Sequence, residues 1–323
     1  AVVTEENYNA EDEDGNPLYE PCFTWHRTGG STLTLVKEVV NPDGVLTYLA
    51  PGDWELTAGV DGEDPIINGE APGQDVDDPA EDCALNSNIC ATEPADAVEG
   101  ATYVLSEAPA DREAHPAYRR GTWTCATKDG TVDMDKDDDD ADIFEMPDED
   151  VVCTVTNSVA ELTLLKKAED PLSPSGFKLS AKTTGGDELP ENLPELDEVE
   201  GATSLVLPDD ADANTMLVYP DASYTLSETG PSNTPWVQKA LEVYTPSDDQ
   251  TGTPDCPTAY ANSYFGVEAC WKPVDTTDNK GTVVLEAGER GIYRFVNVEA
   301  VGPTLPMTGG ASSFMYFVLG LSL

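Results

Sequence analysis

The sequence predicts an all-β protein made of small β-sandwich domains. The 323 residues include 26 glycines and 25 prolines, and aromatic residues make up only 7% of the chain. Stretches that alternate apolar and polar residues are short, and clusters of Asp, Gly, Pro and Asn separate them. This pattern is typical of sandwiches with many turns, and the length allows two domains of ordinary size.

Three pairs of similar stretches indicate a tandem repeat. The pairs are "TLTLVKEVV" (32–40) with "ELTLLKKAE" (161–169), "YVLSEAP" (103–109) with "YTLSETG" (224–230), and "VVCTVTN" (151–157) with "GIYRFVN" (291–297). Their order and rough spacing agree, so we expect one sandwich over residues 31–158 and a second over 159–300. Residues 1–30 are interpreted as the end of a preceding β domain, and residues 301–323 as a C-terminal signal.

Each matched stretch has the period of a strand with one buried face. On that face the first strand of each copy carries a lysine, the middle strand a glutamate and the last strand an asparagine. The two sets are Lys37, Glu107 and Asn157, and Lys166, Glu228 and Asn297. A lysine at a strand end often reaches water, which is the ordinary alternative. The chain has only ten lysines, however, and both copies place one at the same point.

The seven cysteines lack zinc-site spacing and indicate an oxidising compartment, with three disulfides and one cysteine left over. Cys125 lies in "WTC", where the second copy has "WVQ" (236–238), and Cys153 aligns with Tyr293. Because the second copy lacks both cysteines, we expect Cys125 to pair with Cys153. The other expected disulfides are Cys83–Cys90, in a short loop, and Cys256–Cys270, in an insertion. The partner of Cys22 is expected upstream, in the preceding domain.

The net charge of −47, from 63 acidic and 16 basic residues, excludes a nucleic-acid or anionic-membrane partner for the folded part. The sequence contains no Gly-rich phosphate loop, no metal-ligand cluster and no Ser-His-Asp set. We therefore expect no cofactor, no metal and no activity on an external substrate.

An acidic segment at 133–150 resembles the start of a calcium loop. Asp133, Asp135 and Asp137 match its first three ligand positions, but Asp138 replaces the required glycine and Phe144 the bidentate glutamate. A solvated acidic loop is the favoured interpretation.

Burial would give the repeated lysine, glutamate and asparagine a shared chemistry. Desolvation shifts a lysine toward its neutral, nucleophilic amine and a glutamate toward its protonated acid. The acid can polarise the asparagine carbonyl while the amine attacks it, and ammonia leaves as an amide joins the two side chains. The reaction is intramolecular and occurs once per site. A non-covalent, hydrogen-bonded cluster is the alternative.

These triplets, with "LTLVK", "YVLSE" and "CTVTN", resemble those of SpaA-type pilin and collagen-adhesin B-type domains. The resemblance implies a prealbumin-like, or Ig-like, β-sandwich in each copy. It also implies a Lys37–Asn157 isopeptide bond assisted by Glu107, and a Lys166–Asn297 bond assisted by Glu228. The neighbouring lysine at 167 is a rival for Lys166, but the strand phase disfavours it.

The segment Leu305-Pro306-Met307-Thr308-Gly309 resembles the "LPxTG" signal of sortase substrates. The resemblance implies cleavage between Thr308 and Gly309 and transfer of the Thr308 carboxyl to an amine of peptidoglycan. Thirteen residues follow Gly310, fewer than the ~20 needed to span a bilayer. We therefore expect a shortened tail, and a truncated or processed start at "AVVTEENYNA", which has no signal peptide.

Together these features predict an extracellular, cell-wall-anchored Gram-positive surface protein: a structural stalk, an adhesin or a minor pilin component. Its expected partners are sortase and peptidoglycan, with a host ligand, a neighbouring-cell ligand or pilin subunits as further candidates. A polymerising major pilin is one alternative, although "VYPD" has Asp221 where such pilins carry an acceptor lysine. A surface enzyme with an upstream catalytic domain is the other.

Overall fold

The computed structural model describes residues 30–300, apart from 44, 45, 47, 77–81, 85, 86, 111–115, 185–188, 191, 205–212, 233, 247–255 and 257–266. The described residues form an all-β protein with four sheets. Cys22 and the segment at 305–309 lie outside the described residues.

The first sandwich contains twelve strands. They are β1 Ser31–Val40, β2 Trp54–Val60, β3 Ile67–Glu70, β4 Ile89–Ala91, β5 Ala95–Ala97, β6 Thr102–Pro109, β7 Arg119–Arg120, β8 Thr124–Thr127, β9 Gly130–Val132, β10 Asp135–Lys136, β11 Asp142–Glu145 and β12 Val151–Ser158. One sheet has the order β4-β1-β12-β8-β9, with β5 also beside β1 and β7 also beside β12. The other sheet has the order β10-β11-β6-β2-β3.

The second sandwich contains ten strands. They are β13 Ala160–Ala168, β14 Lys178–Thr183, β15 Leu196–Glu200, β16 Thr215–Val218, β17 Ser223–Thr229, β18 Trp236–Tyr244, β19 Trp271–Val274, β20 Thr276–Thr277, β21 Lys280–Val284 and β22 Arg290–Glu299. Its sheets have the orders β16-β13-β22-β18-β19 and β15-β14-β17-β21-β20. The helical segments of the described residues are short 3-10 turns at Pro51–Asp53, Pro174–Gly176 and Glu268–Cys270.

The first and last strands of each sandwich are parallel neighbours. Leu33 of β1 lies opposite Val151 of β12, and Leu162 of β13 lies opposite Gly291 of β22. The register is therefore the same in both copies of the repeat. Parallel neighbours require a long crossover, and here the crossover is the rest of the sandwich.

A separate core fills the space between the two sheets of each sandwich. Its members come from alternate positions of the strands, as period two requires for a half-buried sheet. In the first sandwich they include Leu33, Leu35, Leu56, Tyr103, Leu105, Phe144 and Val155. In the second they include Leu162, Leu164, Leu179, Tyr224, Leu226, Leu241 and Phe295.

Within the described ranges there are three disulfides, and they join the cysteines that the sequence pairs. Cys125 and Cys153 lie directly opposite each other on β8 and β12, with a Cα–Cα distance of 4.0 Å. Cys83–Cys90 and Cys256–Cys270 close loops with sequence separations of 7 and 14 residues. Closing a loop of the latter size stabilises the folded state by about 3 kcal/mol.

The two sandwiches meet around a single connecting residue, Val159, whose N–H donates to Val40 and whose carbonyl accepts from Gly288. Beside it, the fully buried carboxylate of Glu161 pairs with Arg290 Nε at 2.5 Å. The same carboxylate accepts a hydrogen bond from Tyr48 Oη at 2.6 Å. An ion pair of the second sandwich thus also holds a loop of the first.

We predict that Glu161→Gln lowers the free energy of unfolding by ~3–5 kcal/mol, because it breaks a buried ion pair. Glu169→Gln is the matched control, since the Glu169–Lys239 pair is about half exposed and should change stability by less than ~1 kcal/mol. Urea unfolding followed by tryptophan fluorescence measures both. Equal, small losses would contradict the assigned role of Glu161.

Candidate crosslinking sites

The first site is built around a lysine that crosses the interior between the two sheets. Lys37 is on β1 and its side chain is 0% exposed. Its Nζ donates to Glu107 Oε2 at 2.5 Å, and Glu107 belongs to β6 of the facing sheet. The ring of Trp54, at the start of β2, has its centroid 4.4 Å from Nζ. A carboxylate and an aromatic face thus surround the buried ammonium, which burial alone would disfavour.

Asn157 lies on the neighbouring strand, diagonal to this lysine. The parallel register sets Lys37 opposite Val155 and Val39 opposite Asn157. Because side chains two residues apart share a face of the sheet, Asn157 and Lys37 both point into the interior. Asn157 is 1% exposed.

The Asn157 carbonyl faces a backbone donor. Its Oδ1 accepts a hydrogen bond from Gly121 N at 3.3 Å. A Cβ added to Gly121 would lie 2.2 Å from the carbonyl oxygen of Thr156. Only glycine therefore allows this close approach of the chain to β12.

The second site repeats the first. Lys166 Nζ donates to Glu228 Oε2 at 2.5 Å, and both side chains are fully buried. The ring centroid of Phe177 is 4.0 Å from Nζ. Lys166 lies opposite Phe295, and Ala168 lies opposite Asn297. The lysine and the asparagine are again diagonal neighbours on parallel strands.

The side chain of Asn297 is buried, and no hydrogen bond from the described residues offsets the cost of removing its amide from water. It is 0% exposed, and within the described part of the chain neither its amide nitrogen nor its carbonyl oxygen has a hydrogen-bond partner. Leaving buried polar groups unsatisfied costs about 1–3 kcal/mol each. The second sandwich therefore carries a polar side chain that its non-covalent contacts do not stabilise.

Burial makes both lysines weaker bases than usual. Desolvation is the main cause and lowers the pKa of Lys37 from 10.5 to about 8, against the opposing effect of Glu107; Arg120 lowers it slightly further. The pKa of Lys166 is likewise lowered by desolvation to about 8, with Glu228 opposing the shift. A neutral amine is thus accessible much nearer neutral pH than for an exposed lysine.

The neighbouring lysine does not share this environment. Lys167 is about one-third exposed, and its Nζ lies 2.7 Å from Glu268 Oε1. Consecutive strand residues point to opposite faces, so Lys166 alone of the two faces the interior.

The sequence comparison misplaced one strand of the repeat. Asn157 lies opposite Arg120, and Asn297 lies opposite Gln238. Gln238 is therefore the counterpart of Arg120, and the alignment of "WTC" with "WVQ" was wrong. Cys125 instead corresponds to Val243, since each lies opposite the aligned residues Cys153 and Tyr293.

Aromatic contacts support the corrected alignment. Trp54 meets Tyr118 edge to face with ring centroids 5.8 Å apart, and Phe177 meets Trp236 in the same way at 5.3 Å. Trp236 thus takes the place of Tyr118. The sequence alignment instead matched Trp236 with Trp123, because both are tryptophan. Strand pairing, and not residue type, sets the register.

The second oxygen of each glutamate has a partner that sequence reasoning missed. Glu107 Oε1 lies 3.3 Å from Arg120 Nε without accepting a hydrogen bond, so the contact is ionic. Gln238, with its amide nitrogen turned toward Glu228, donates to Glu228 Oε1 at 3.2 Å and to Asn279 O at 3.0 Å. No sequence pattern marks Arg120 and Gln238. Only the strand register places them beside the glutamates.

The acidic segment contains β10 and β11, and the Asp137 side chain stabilises the turn that joins these two antiparallel strands. Asp137 Oδ1 accepts hydrogen bonds from the backbone N–H groups of Asp139 and Ala141. Lys136 Nζ lies 2.9 Å from Asp142 Oδ1. Among the described residues, no group of three or more His, Cys, Asp or Glu side chains is arranged to hold a metal ion.

Within the described ranges, no helix has the length and apolar character needed to cross a bilayer.

No protein-family model matches the chain, and no curated protein matches its sequence. Solved structures with some similarity include the major pilin T-13 of Streptococcus pyogenes, at 11% identity over 84% of this chain and 98% of that one, with a TM-score of 0.29. A C-terminal fragment of the pilus adhesin SpaC of Lactobacillus rhamnosus GG aligns at 12% identity over 85% and 100% of the two chains, with a TM-score of 0.26. The TIE protein of Bacillus anthracis aligns at 10% identity over 83% and 35%, with a TM-score of 0.23. Similarities at this level establish no shared function.

We predict a pH-dependent stability for a chain in which Asn157→Ala and Asn297→Ala leave both lysine amines free. Between pH 8 and 9.5 the two lysines bind more protons in the unfolded chain than in the folded one, because their folded pKa is about 8. Stability should therefore rise with pH across this window, by roughly 1–3 kcal/mol per lysine. Above it, buried tyrosines whose pKa is raised, Tyr118 and Tyr293 among them, oppose the rise. Urea titrations at a series of pH values, in a Cys22→Ser background that prevents thiol exchange, measure the rise.

Lys167→Met in the same background is the control, since an exposed lysine should leave the pH slope unchanged. A flat stability between pH 8 and 9 would show that the two buried lysines titrate normally.

Proposed function

We propose that this chain is a sortase-anchored cell-wall surface protein whose two sandwiches are each crosslinked by a self-formed Lys–Asn amide bond. The observation that carries the proposal is the repeated site. In both sandwiches a buried lysine contacts a buried glutamate at 2.5 Å, and a buried asparagine lies diagonal to it on the parallel strand. A cluster that only filled space would not need the same three residue types in the same register.

The reaction starts with proton transfer within the ion pair. Lysine Nζ gives a proton to glutamate Oε2, which leaves a neutral amine and a neutral acid. The amine attacks the asparagine Cγ, and the new N–C bond forms as the carbonyl oxygen takes up charge. The acid protonates the departing Nδ2 and regains a proton from the attacking nitrogen. The Cγ–Nδ2 bond breaks, ammonia leaves, and the glutamate ends protonated.

The surroundings favour this reaction in three ways. The dry interior lowers the pKa of each lysine to about 8, which makes the amine a nucleophile. In the first site the Gly121 N–H points at the oxygen that gains charge on Asn157. The strands hold both reactants in one geometry, so little entropy is lost on the way to the transition state.

Loss of ammonia would also explain why the second site contains a buried asparagine amide without hydrogen bonds to the described residues. Asn297 has no hydrogen-bond partner within the described chain. An amide bond to Lys166 would remove its NH₂ group and convert an unfavourable buried side chain into a covalent link.

Each bond would join the first strand of a sandwich to the last. The linked residues are 120 positions apart in the first sandwich and 131 in the second. By analogy with disulfides, closing loops of this size adds about 5 kcal/mol of stability through the unfolded state. Tension applied to the start of β1 and the end of β12 shears two parallel strands, and the bond between them would carry that tension.

The anchoring part of the proposal rests on the segment Leu305–Gly309, which follows β22 by a few residues. Its resemblance to a sortase signal supports cleavage after Thr308 and attachment of the Thr308 carboxyl to peptidoglycan, outside the cell. A crosslinked pair of sandwiches suits a stalk, an adhesin or a minor pilin component, because all three transmit force to the wall.

We predict that the intact mass of the folded chain is lower than the sequence mass by two ammonia molecules, beyond the hydrogens lost to the disulfides. Glu107→Gln and Asn157→Ala should each restore one ammonia mass in the first sandwich, because the proton relay or the acceptor is lost. Lys166→Ala should restore the other, and high-resolution mass spectrometry with peptide mapping assigns each site.

Lys167→Ala is the matched control and should keep both losses. A wild-type chain with the full sequence mass apart from the disulfides would contradict the crosslinking proposal.

We predict that a purified sortase with an amine nucleophile cleaves the chain between Thr308 and Gly309 and forms an adduct at Thr308. Thr308→Ala should abolish the adduct, whereas Thr304→Ala, outside the motif, should not. Electrophoresis and mass mapping of the C-terminal peptide measure the product. Failure to form an adduct would argue against anchoring, and ladders of linked chains would favour a polymerising pilin instead.

A further inference from the structure

The two sites carry different residues at the position beside the second glutamate oxygen. Arg120 and Gln238 each lie opposite the site's asparagine on the neighbouring antiparallel strand. Each faces the glutamate oxygen that the lysine leaves free. One of the two side chains is a cation and the other is a neutral amide.

We propose that Arg120 and Gln238 are positioning residues for the glutamates, and that the positive charge of Arg120 slows the first crosslink compared with a neutral amide at the same position. The inference rests on the crosslinking reaction proposed above and concerns its rate at each site.

The direction of the effect follows from where the proton travels. In the first site, proton transfer moves positive charge from Lys37 Nζ to Glu107, toward a guanidinium whose Nε lies 3.3 Å from Oε1. Like charges repel, so the neutral amine–acid pair that starts the reaction is less populated beside Arg120.

Other charges near the first site only partly offset this repulsion. Asp142 Oδ2 lies 3.8 Å from Arg120 Nη2, but its Oδ1 is paired with Lys136 at 2.9 Å. The Arg120 side chain is 51% exposed, so water and salt screen its charge and the effect is moderate.

The second site has no corresponding charge. Within the described residues, Lys166 is the only cation within 4.0 Å of the Glu228 carboxylate. Gln238 supplies a neutral donor to Oε1, and Asn279 O holds the same amide nitrogen in place. Glu228 Oε1 therefore has a neutral partner, and proton transfer from Lys166 meets no repulsion from a third charge of the described residues within 4.0 Å of the carboxylate.

A reciprocal exchange of the two residues tests the proposal. The full chain is made by cell-free translation, and samples are quenched in acid at intervals. Peptide mass spectrometry then gives the fraction of each site that has lost ammonia. Arg120→Gln should raise the rate at the first site about fivefold, and Gln238→Arg should lower the rate at the second by a similar factor.

Two controls separate charge from structure. Arg120→Lys keeps the positive charge and should keep the slow rate, whereas a purely structural role predicts that Lys and Gln behave alike. Higher salt should bring the wild-type rate at the first site closer to the rate of Arg120→Gln, because Arg120 is half exposed. The unexchanged site in each variant serves as an internal standard for folding.

The outcomes are distinct. No ammonia loss at either site would refute the crosslinking reaction itself. Ammonia loss at both sites with rates that do not respond to the exchange, or that change in the opposite direction, would leave the reaction intact and overturn the role of Arg120 and Gln238. Gln238→Arg keeps the test decisive if Arg120→Gln fails to fold.

Discussion

The parallel pairing of the first and last strands is the constraint on which both sandwiches depend. Lys37 opposite Val155, and Lys166 opposite Phe295, fix the register. That register places each asparagine two residues further along and on the same buried face. Since a slip of one residue would turn all these side chains to the other surface, the apolar residues that define the core also define the polar site. The pairing of β1 with β12 and of β13 with β22 thus sets both the core and the position of the proposed reaction.

Burying an ammonium group in a small sandwich is unfavourable, and the two copies solve this in the same way. A carboxylate from the facing sheet lies 2.5 Å from each lysine, and an aromatic ring lies about as close as van der Waals contact allows. Desolvation still outweighs these contacts, because both pKa values remain lowered. The interior therefore holds each lysine close to the condition in which it can react.

The copies differ in the residues around this shared arrangement. The first sandwich has a disulfide between β8 and β12 and a half-exposed arginine beside its glutamate. The second has the amide of Gln238 in place of the arginine. Its disulfide joins Cys256 and Cys270, which pack with Trp271 and Leu165 in a separate apolar cluster. The shared lysine, glutamate and asparagine explain why the same reaction is proposed for both sandwiches, and the different residues around them explain why the two rates need not agree.

Period-two patterning determined from the sequence that the chain is all-β, that its first, middle and last strands carry Lys, Glu and Asn on a buried face, and that Lys166 rather than Lys167 faces inward. These properties are local, because each strand displays its own alternation. Only the tertiary structure decided which residues of different strands meet. Tyr118 and Trp236 take equivalent places despite different identities, and a bulge after Gln238 shifts its strand relative to any alignment by residue type. Arg120 and Gln238 emerged only there, since hydrogen bonding between strands sets their positions and leaves no periodic mark in the sequence.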